Sequence, residues 1–295
     1  MNGKQLQNYL EYYSFVALLK LLKLLPYRAS CRIICVLFRV IGYGLGIRRA
    51  VAECQLRKVY PDWSARQIQS TIKELYRQMA LNISEVYLKN DQDLFGESRI
   101  VGREHVDEAL GMQRDAILAT AHMGNWEAAR ILPLYGIAVS VITKKQRNRL
   151  FDRYTNSIRE RNGVHTIDMK RGLRDIINDL RQNRLVAILA DQNAGSAGLV
   201  QDFLGYPASH WKGVAKLSLR YKIPIVPGFV IRDEKDLIRF EFSDMLYYPD
   251  LEDEPLNYEL VIRDIARITE EYIHRYPEQW FWVHKRWKHA YNMFE

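Results

Sequence analysis

His122 and Glu127 are the residues whose types and spacing could do chemistry. They lie within residues 116–136, AILATAHMGNWEAARILPLYG, where an apolar run ends at Ala121. It gives way to His122-Met123-Gly124-Asn125-Trp126-Glu127 and then to an apparent amphipathic helix. A neutral imidazole accepts a proton near neutral pH, and a carboxylate on its other nitrogen fixes its tautomer and orientation. On a continuous helix, residues five apart are separated by about 140° and about 7.5 Å, so the pair meets only if the chain turns between them. Gly124 permits that turn, Asn125 suits a helix N-cap, and Glu127 then falls in the first helical turn, where the dipole favours its ionised form. Taken alone, the spacing also fits a satisfied histidine near an unrelated surface glutamate.

No serine nucleophile competes with this pair. The chain lacks G-x-S-x-G, Walker A and HExxH patterns, and Gly195-Ser196-Ala197-Gly198 does not directly follow a strand. Gly42-x-Gly44-x-Gly46 misses dinucleotide-binding spacing and sits in an apolar segment, which suits helix ending or packing. Cys31, Cys35 and Cys54 form no CxxC pair, so neither a metal site nor a disulfide framework is expected, and no cofactor is implied. A histidine base without an enzyme nucleophile points to direct attack by a substrate hydroxyl on an activated ester.

The elements that must hold this corner alternate between strand and helix patterns. Apolar strands are expected at Ala116–Ala121, Val139–Thr143, Leu185–Ala190, Ile225–Val230 and Ile238–Phe242, with short strands at Ile100-Val101 and Thr166-Ile167. Helices are expected from an N-cap at Ser64 through Val86, over 144–161, and at Leu173–Leu180, Trp211–Tyr221 and Glu259–Tyr276, the last closed by Pro277. This order predicts an α/β fold with a mostly parallel central sheet flanked by helices, a single unit over 51–295. Residues 1–50 differ. Phe15–Leu25 and Ile33–Ile47 are apolar but shorter than a membrane span, and Lys20, Lys23, Arg28, Arg32 and Arg39 interrupt the segment. The pattern fits a basic amphipathic pair in a membrane interface, and equally a helical hairpin packed on the protein's own core.

The 43 basic and 35 acidic residues give a net charge of +8, which implies acidic partners unless it serves solubility alone. Residues 144–161 concentrate positive charge for anionic headgroups or an acidic carrier. No nucleic-acid-binding motif accompanies them. The C-terminal WFWVHKRWKH alternates aromatics with cations; it suits an interface, or packing on the core with charges outward.

His122-Met-Gly-Asn-Trp-Glu127 after LATA resembles the H-x4-D/E motif of the bacterial lipid A biosynthesis acyltransferases, relatives of the glycerolipid acyltransferases. Further blocks extend the resemblance over nearly the whole chain: LLPYR at 24–28, VYPDWS at 59–64, Tyr154 to Gly163, Ala190-Asp-Gln-Asn193 with Asp202-Phe-Leu-Gly205, and Pro277-Glu-Gln-Trp280 through Lys288. The departures, Asn193 where an acid is usual, Leu204, and Ser209-His210-Trp211, bear on substrate identity more than on reaction type. The resemblance implies acyl transfer from an acyl carrier protein or coenzyme A thioester to a hydroxyl of an anionic membrane lipid, on the cytoplasmic face of a bacterial inner membrane, by a peripheral or monotopic protein. A lipid A precursor is the implied acceptor, with a glycerophospholipid, glycolipid or amino-lipid as the alternative. His122 then serves as general base with Glu127 as its partner. Arg159 is the candidate for an anionic group, although a solvated helix charge reads the same way. Asp191, Gln192, Asn125 and Trp126 shape the substrate site. A catalytically silent membrane-binding protein remains the non-enzymatic alternative.

Overall fold

The computed structural model describes residues 3–113, 115–169, 173–180, 182–291 and 293. An N-terminal helical layer comprises α1 (Gly3–Lys23), α2 (Tyr27–Leu37), which continues as a π-helical turn over Phe38–Gly44, α3 (Arg49–Val59) and α4 (Ala65–Tyr87). Ser64 caps α4 as its sequence predicts. Its hydroxyl accepts the Gln67 N–H while the Gln67 side chain accepts the Ser64 N–H at 2.9 Å, so two helix-end donors are satisfied reciprocally.

The α/β part follows. In chain order it contains α5 (Asp91–Gly96), β1 (Ser98–Val101), α6 (Arg103–Gln113), β2 (Ala116–Thr120), β3 (Val139–Thr143), α7 (Arg149–Arg159), β4 (His165–Asp168) and α8 (Leu173–Leu180). It continues with β5 (Leu185–Leu189), β6 (Leu199–Phe203), β7 (Tyr206–His210), α9 (Gly213–Tyr221), β8 (Ile225–Arg232), β9 (Ile238–Phe242) and α10 (Pro255–Arg275). Seven strands form one sheet in the order β1-β9-β8-β2-β5-β3-β4. All neighbours are parallel except β8 and β9, whose short connection over 233–237 allows only a hairpin. The expected mostly parallel α/β architecture is therefore the observed one.

The alternation of β2 explains how the sheet is covered. Ala116 and Leu118 pack with α6 and the segment after His122, whereas Ile117 and Ala119 pack with α9 and α10 on the other face. Three local expectations are corrected. Trp126–Tyr135 is a 3-10 helix with Pro133 inside it. The basic helix starts at Arg149, capped by Asn148. A β6–β7 hairpin also occupies residues read above only as family blocks, turning at Leu204 (φ +52°) and Gly205 (φ +80°). Leu204 holds that left-handed backbone with its N–H donated to Glu270 at 2.7 Å.

Among the described residues no single helix is long and apolar enough to cross a membrane, although Tyr27–Gly44 and Arg49–Val59, bent by 75°, reach that length and apolarity together. Among the described residues, most exposed large apolar side chains lie before residue 48, including Leu10, Tyr13, Leu21, Leu24, Val36, Val40 and Leu45. A small cluster, Leu22 and Ile34 against Ala80, ties α1 and α2 to α4, and Phe15 of α1 packs edge-on against Tyr87 at 5.1 Å. The hairpin reading, in which this segment buries itself on the core, therefore holds for only a few of its side chains. Lys20, Lys23, Arg28, Arg32 and Arg39 are all exposed. The C-terminal segment behaves otherwise. Trp280, Trp282 and Trp287 are fully buried, and so is Arg286, so this stretch is core rather than an interface.

Candidate active site

His122 leaves the end of β2, and two neighbouring segments fix the turn that follows. Gly124 sits at φ +50°, and a Cβ there would collide with the carbonyl of Val230, so only glycine fits. The Gly124 N–H donates to Gln279 O at 2.9 Å, its carbonyl accepts from Asn82 at 2.6 Å, and the Phe281 N–H donates to His122 O at 3.0 Å. The corner is thus laced to α4 on one side and to the C-terminal segment on the other.

The partner of His122 is Asp191, at the end of β5. His122 Nδ1 and Asp191 Oδ1 are 2.8 Å apart, while Oδ2 accepts the His122 backbone N–H at 3.0 Å and the Trp280 indole N–H at 2.8 Å. β5 lies directly beside β2 in parallel register, Thr120 opposite Leu189, so the two strand ends deliver imidazole and carboxylate to the same edge. Burial would raise the Asp191 carboxyl, but the His122 charge and the bonds from His122 and Trp280 hold it below the usual carboxylate range. With a carboxylate accepting at Nδ1, the neutral ring carries its proton there and leaves a lone pair on Nε2. Nε2 meets no hydrogen-bond partner among the described residues.

This corrects the expected roles of Glu127 and Arg159. Glu127 is bonded to Arg159, through Nε at 2.8 Å and through Nη2, rather than orienting His122. Arg159 also donates from Nη1 to Asn156 at 3.0 Å, so its guanidinium is paired rather than a solvated helix charge. Burial would lower the Arg159 pKa, yet the Glu127 hydrogen bond and charge raise it, so the guanidinium stays charged. The physical reason is reach. The 3-10 segment from Trp126 carries Glu127 toward α7, whereas β5 ends beside β2.

Asn125 stands at the N-cap position of this segment, but its side chain makes no capping hydrogen bond. It is buried and donates to Glu85 Oε2 at 2.7 Å. Glu85 in turn holds both terminal nitrogens of Arg232, at 2.6 and 2.8 Å, and Arg232 also donates to Gln78 and Asn82. Arg130 reaches the Glu85 carbonyl at 3.0 Å and Asp91 at 2.8 Å. This network behind the corner was not foreseen. Its signal is present in the helix pattern, because Gln78, Asn82 and Glu85 recur at helical spacing beside the apolar stripe of α4 and are aimed at one buried arginine.

Trp126 stands with its ring 5.0 Å from the His122 ring, edge-on, and Phe281 flanks the same imidazole at 6.2 Å. Trp126, Glu127 and Arg159 also line a narrow groove of about 70 Å³ that runs between the 3-10 segment and the sheet past Leu118, Ala187, Val230 and Phe240. Gln192 is half-buried and makes no side-chain hydrogen bond among the described residues. His284, unforeseen by residue type alone, accepts the Asn193 N–H at 3.3 Å; burial is the main cause that lowers its pKa, so the ring is neutral. Among the described residues no cluster of three or more His, Cys, Asp or Glu is arranged to hold a metal ion.

The sequence profile of the bacterial lipid A biosynthesis acyltransferases matches residues 2–289. The chain is similar to a lipid A biosynthesis acyltransferase of Haemophilus influenzae, with 24% identity over 272 residues, 90% of this chain and 83% of that protein. It is similar over a shorter stretch to a phosphatidylinositol mannoside acyltransferase of Mycobacterium tuberculosis, 29% identical over 134 residues, 43% of this chain and 42% of that one. Among solved structures, a 1-acyl-sn-glycerophosphate acyltransferase from Thermotoga maritima aligns with a TM-score of 0.40 and 13% identity, over 86% of this chain and 97% of that chain.

Proposed function

This chain belongs to the bacterial lipid A biosynthesis acyltransferase family, and from that premise we propose that it moves a fatty acyl group from a thioester donor to a hydroxyl of a lipid A precursor. The observation that carries the mechanism is the His122 ring, fixed at Nδ1 by Asp191 and without a partner at Nε2 among the described residues, against Trp126 in the wall of an apolar groove. Nε2 takes the proton of the acceptor hydroxyl as its oxygen attacks the thioester carbonyl. The C–S bond breaks, an ester forms, and the leaving thiolate recovers the proton from the imidazolium. Asp191 positions the ring and stabilises its charged form, and the Glu85–Arg232 network holds the turn that presents it.

The groove under Trp126 receives the acyl chain, and the Glu127–Arg159 pair forms its mouth. The exposed Arg149 and Arg153 of α7 suit an acidic carrier protein as donor, and coenzyme A supplies the same thioester chemistry. Apolar α1 and α2 with their exposed lysines and arginines suit the cytoplasmic face of an inner membrane. Similarity to a phosphatidylinositol mannoside acyltransferase supports a second acceptor class, phospholipids and glycolipids bearing a free hydroxyl.

The test is transfer by the purified protein in mixed micelles from a labelled acyl thioester to each acceptor class. Label should appear in a base-labile ester, and His122→Ala should cut the rate about 10²–10⁴-fold with an unchanged melting curve. Wild-type turnover in that variant would refute the mechanism.

A further inference from the structure

A second apolar space lies beyond Phe281, a ring neighbour of His122. It encloses about 610 Å³ between the π-helical turn, α4 and the C-terminal segment, with Phe38, Ile41, Met79, Phe281 and Val283 in its wall. That volume is within the range of small-molecule sites, about 300–1,000 Å³. Trp126 belongs to the groove wall and Phe281 to the cavity wall, and the two rings stand 5.7 Å apart with His122 against both. The imidazole thus has one ring neighbour in the wall of each apolar compartment, an arrangement suited to joining two lipid-bearing substrates.

The polar side chains in the cavity wall are few. Tyr76 gives its hydroxyl to the Ile47 carbonyl, and His284 has its Nε2 engaged by the Asn193 N–H. Arg48 is exposed at the rim and has no ion pair among the described residues. Around this mouth Val36, Leu37, Val40, Leu45 and Ile47 are exposed apolar side chains. A lipid already resident in a bilayer can therefore slide its chain inward without crossing water. The donor thioester, which arrives from water, has the groove mouth at Glu127–Arg159 beside the basic α7 instead.

We propose that this cavity is the hydrocarbon subsite of the acceptor: it holds an acyl chain of an anionic membrane lipid, with the lipid's phosphate at Arg48 and its free hydroxyl toward Nε2 of His122. The proposal rests on the acyltransferase reading above, but its test reads binding and not turnover. The probe is a 1-acyl phosphatidylglycerol with a diazirine at the end of its chain, cross-linked to the full chain in mixed micelles and mapped by peptide mass spectrometry. Cross-links should fall on peptides holding Ile41, Met79 or Phe281–Val283, in wild type and in His122→Ala alike. Ile41→Trp, at an exposed position that tolerates the larger ring, should cut them about tenfold or more, the equivalent of excluding a couple of buried methylenes. Arg48→Glu should weaken them several-fold, and excess unlabelled probe should compete. Cross-links on the Ala187 and Phe240 peptides overturn the assignment. So do cross-links spread over α1 that ignore Ile41→Trp and competitor. Loss of the transfer reaction with the cavity labelling intact would instead sink the acyltransferase reading alone.

Discussion

Asp191→Asn separates the two carboxylates near His122, because its consequence can be worked out atom by atom. Oδ2 of Asp191 accepts two donors, the His122 N–H and the Trp280 indole, while Oδ1 faces His122 Nδ1. An asparagine keeps one oxygen, and those two donors claim it. Its NH2 group then points at Nδ1 and requires that nitrogen to be unprotonated, which moves the ring proton to Nε2. A protonated Nε2 cannot take a proton from the acceptor, so kcat should fall by about 10²–10⁴-fold, the general-base contribution, with KM little changed. Nitrogen NMR of labelled histidine reads the tautomer directly: the proton should sit on Nδ1 in wild type and in Glu127→Gln, and on Nε2 in Asp191→Asn. The linkage sign follows from the depressed carboxyl. Its stabilisation is present above the unfolded value of about 3.9 and is lost as pH falls through the lower folded value, so the variant's stability deficit should close in acid. A tautomer that flips in Glu127→Gln and stays in Asp191→Asn would refute the assignment.

Other outcomes follow from particular contacts. Gly124→Ala places a side chain at φ +50° against the Val230 carbonyl; it should cost about 1–3 kcal/mol or more in denaturant unfolding and reduce activity in parallel. His210 is driven down to about 3, first by burial and then by the Arg286 charge. The unfolded chain therefore binds a proton below about 6.5 that the folded chain refuses, and stability should drop by about 2 kcal/mol between neutral pH and pH ~5, with a flatter profile in His210→Asn. Ala187→Leu adds carbon to the groove wall; at about 0.8 kcal/mol per displaced methylene it should shift donor preference toward shorter acyl chains in competition assays.

Long apolar runs were legible because their pattern is local: β2 and β8 bury every residue or nearly so, β5 buries its first three, and all read as core strands. The Ser64 cap and the His122 corner were legible for the same reason. Which carboxylate serves His122 was not, since strand order, not sequence distance, puts Asp191 beside it across 69 residues. Glu127 is closer along the chain, yet a 3-10 segment carries it to Arg159, and nothing in H-x4-E distinguishes the two outcomes. Burial of Arg286 was hidden as well. A cation between tryptophans reads as surface until the fold shows it donating to Ser209 and His210 from inside the core, with burial lowering its pKa to about 10.

The central claim is that His122 activates a lipid hydroxyl for acylation. It is tested most directly by mass spectrometry of lipid extracts from cells expressing either the wild-type chain or His122→Ala at equal levels. The account predicts that one hydroxyl-bearing lipid gains the mass of a fatty acyl ester in wild-type cells and that this species is absent with His122→Ala. The same acylated lipid at equal abundance in both extracts would contradict it.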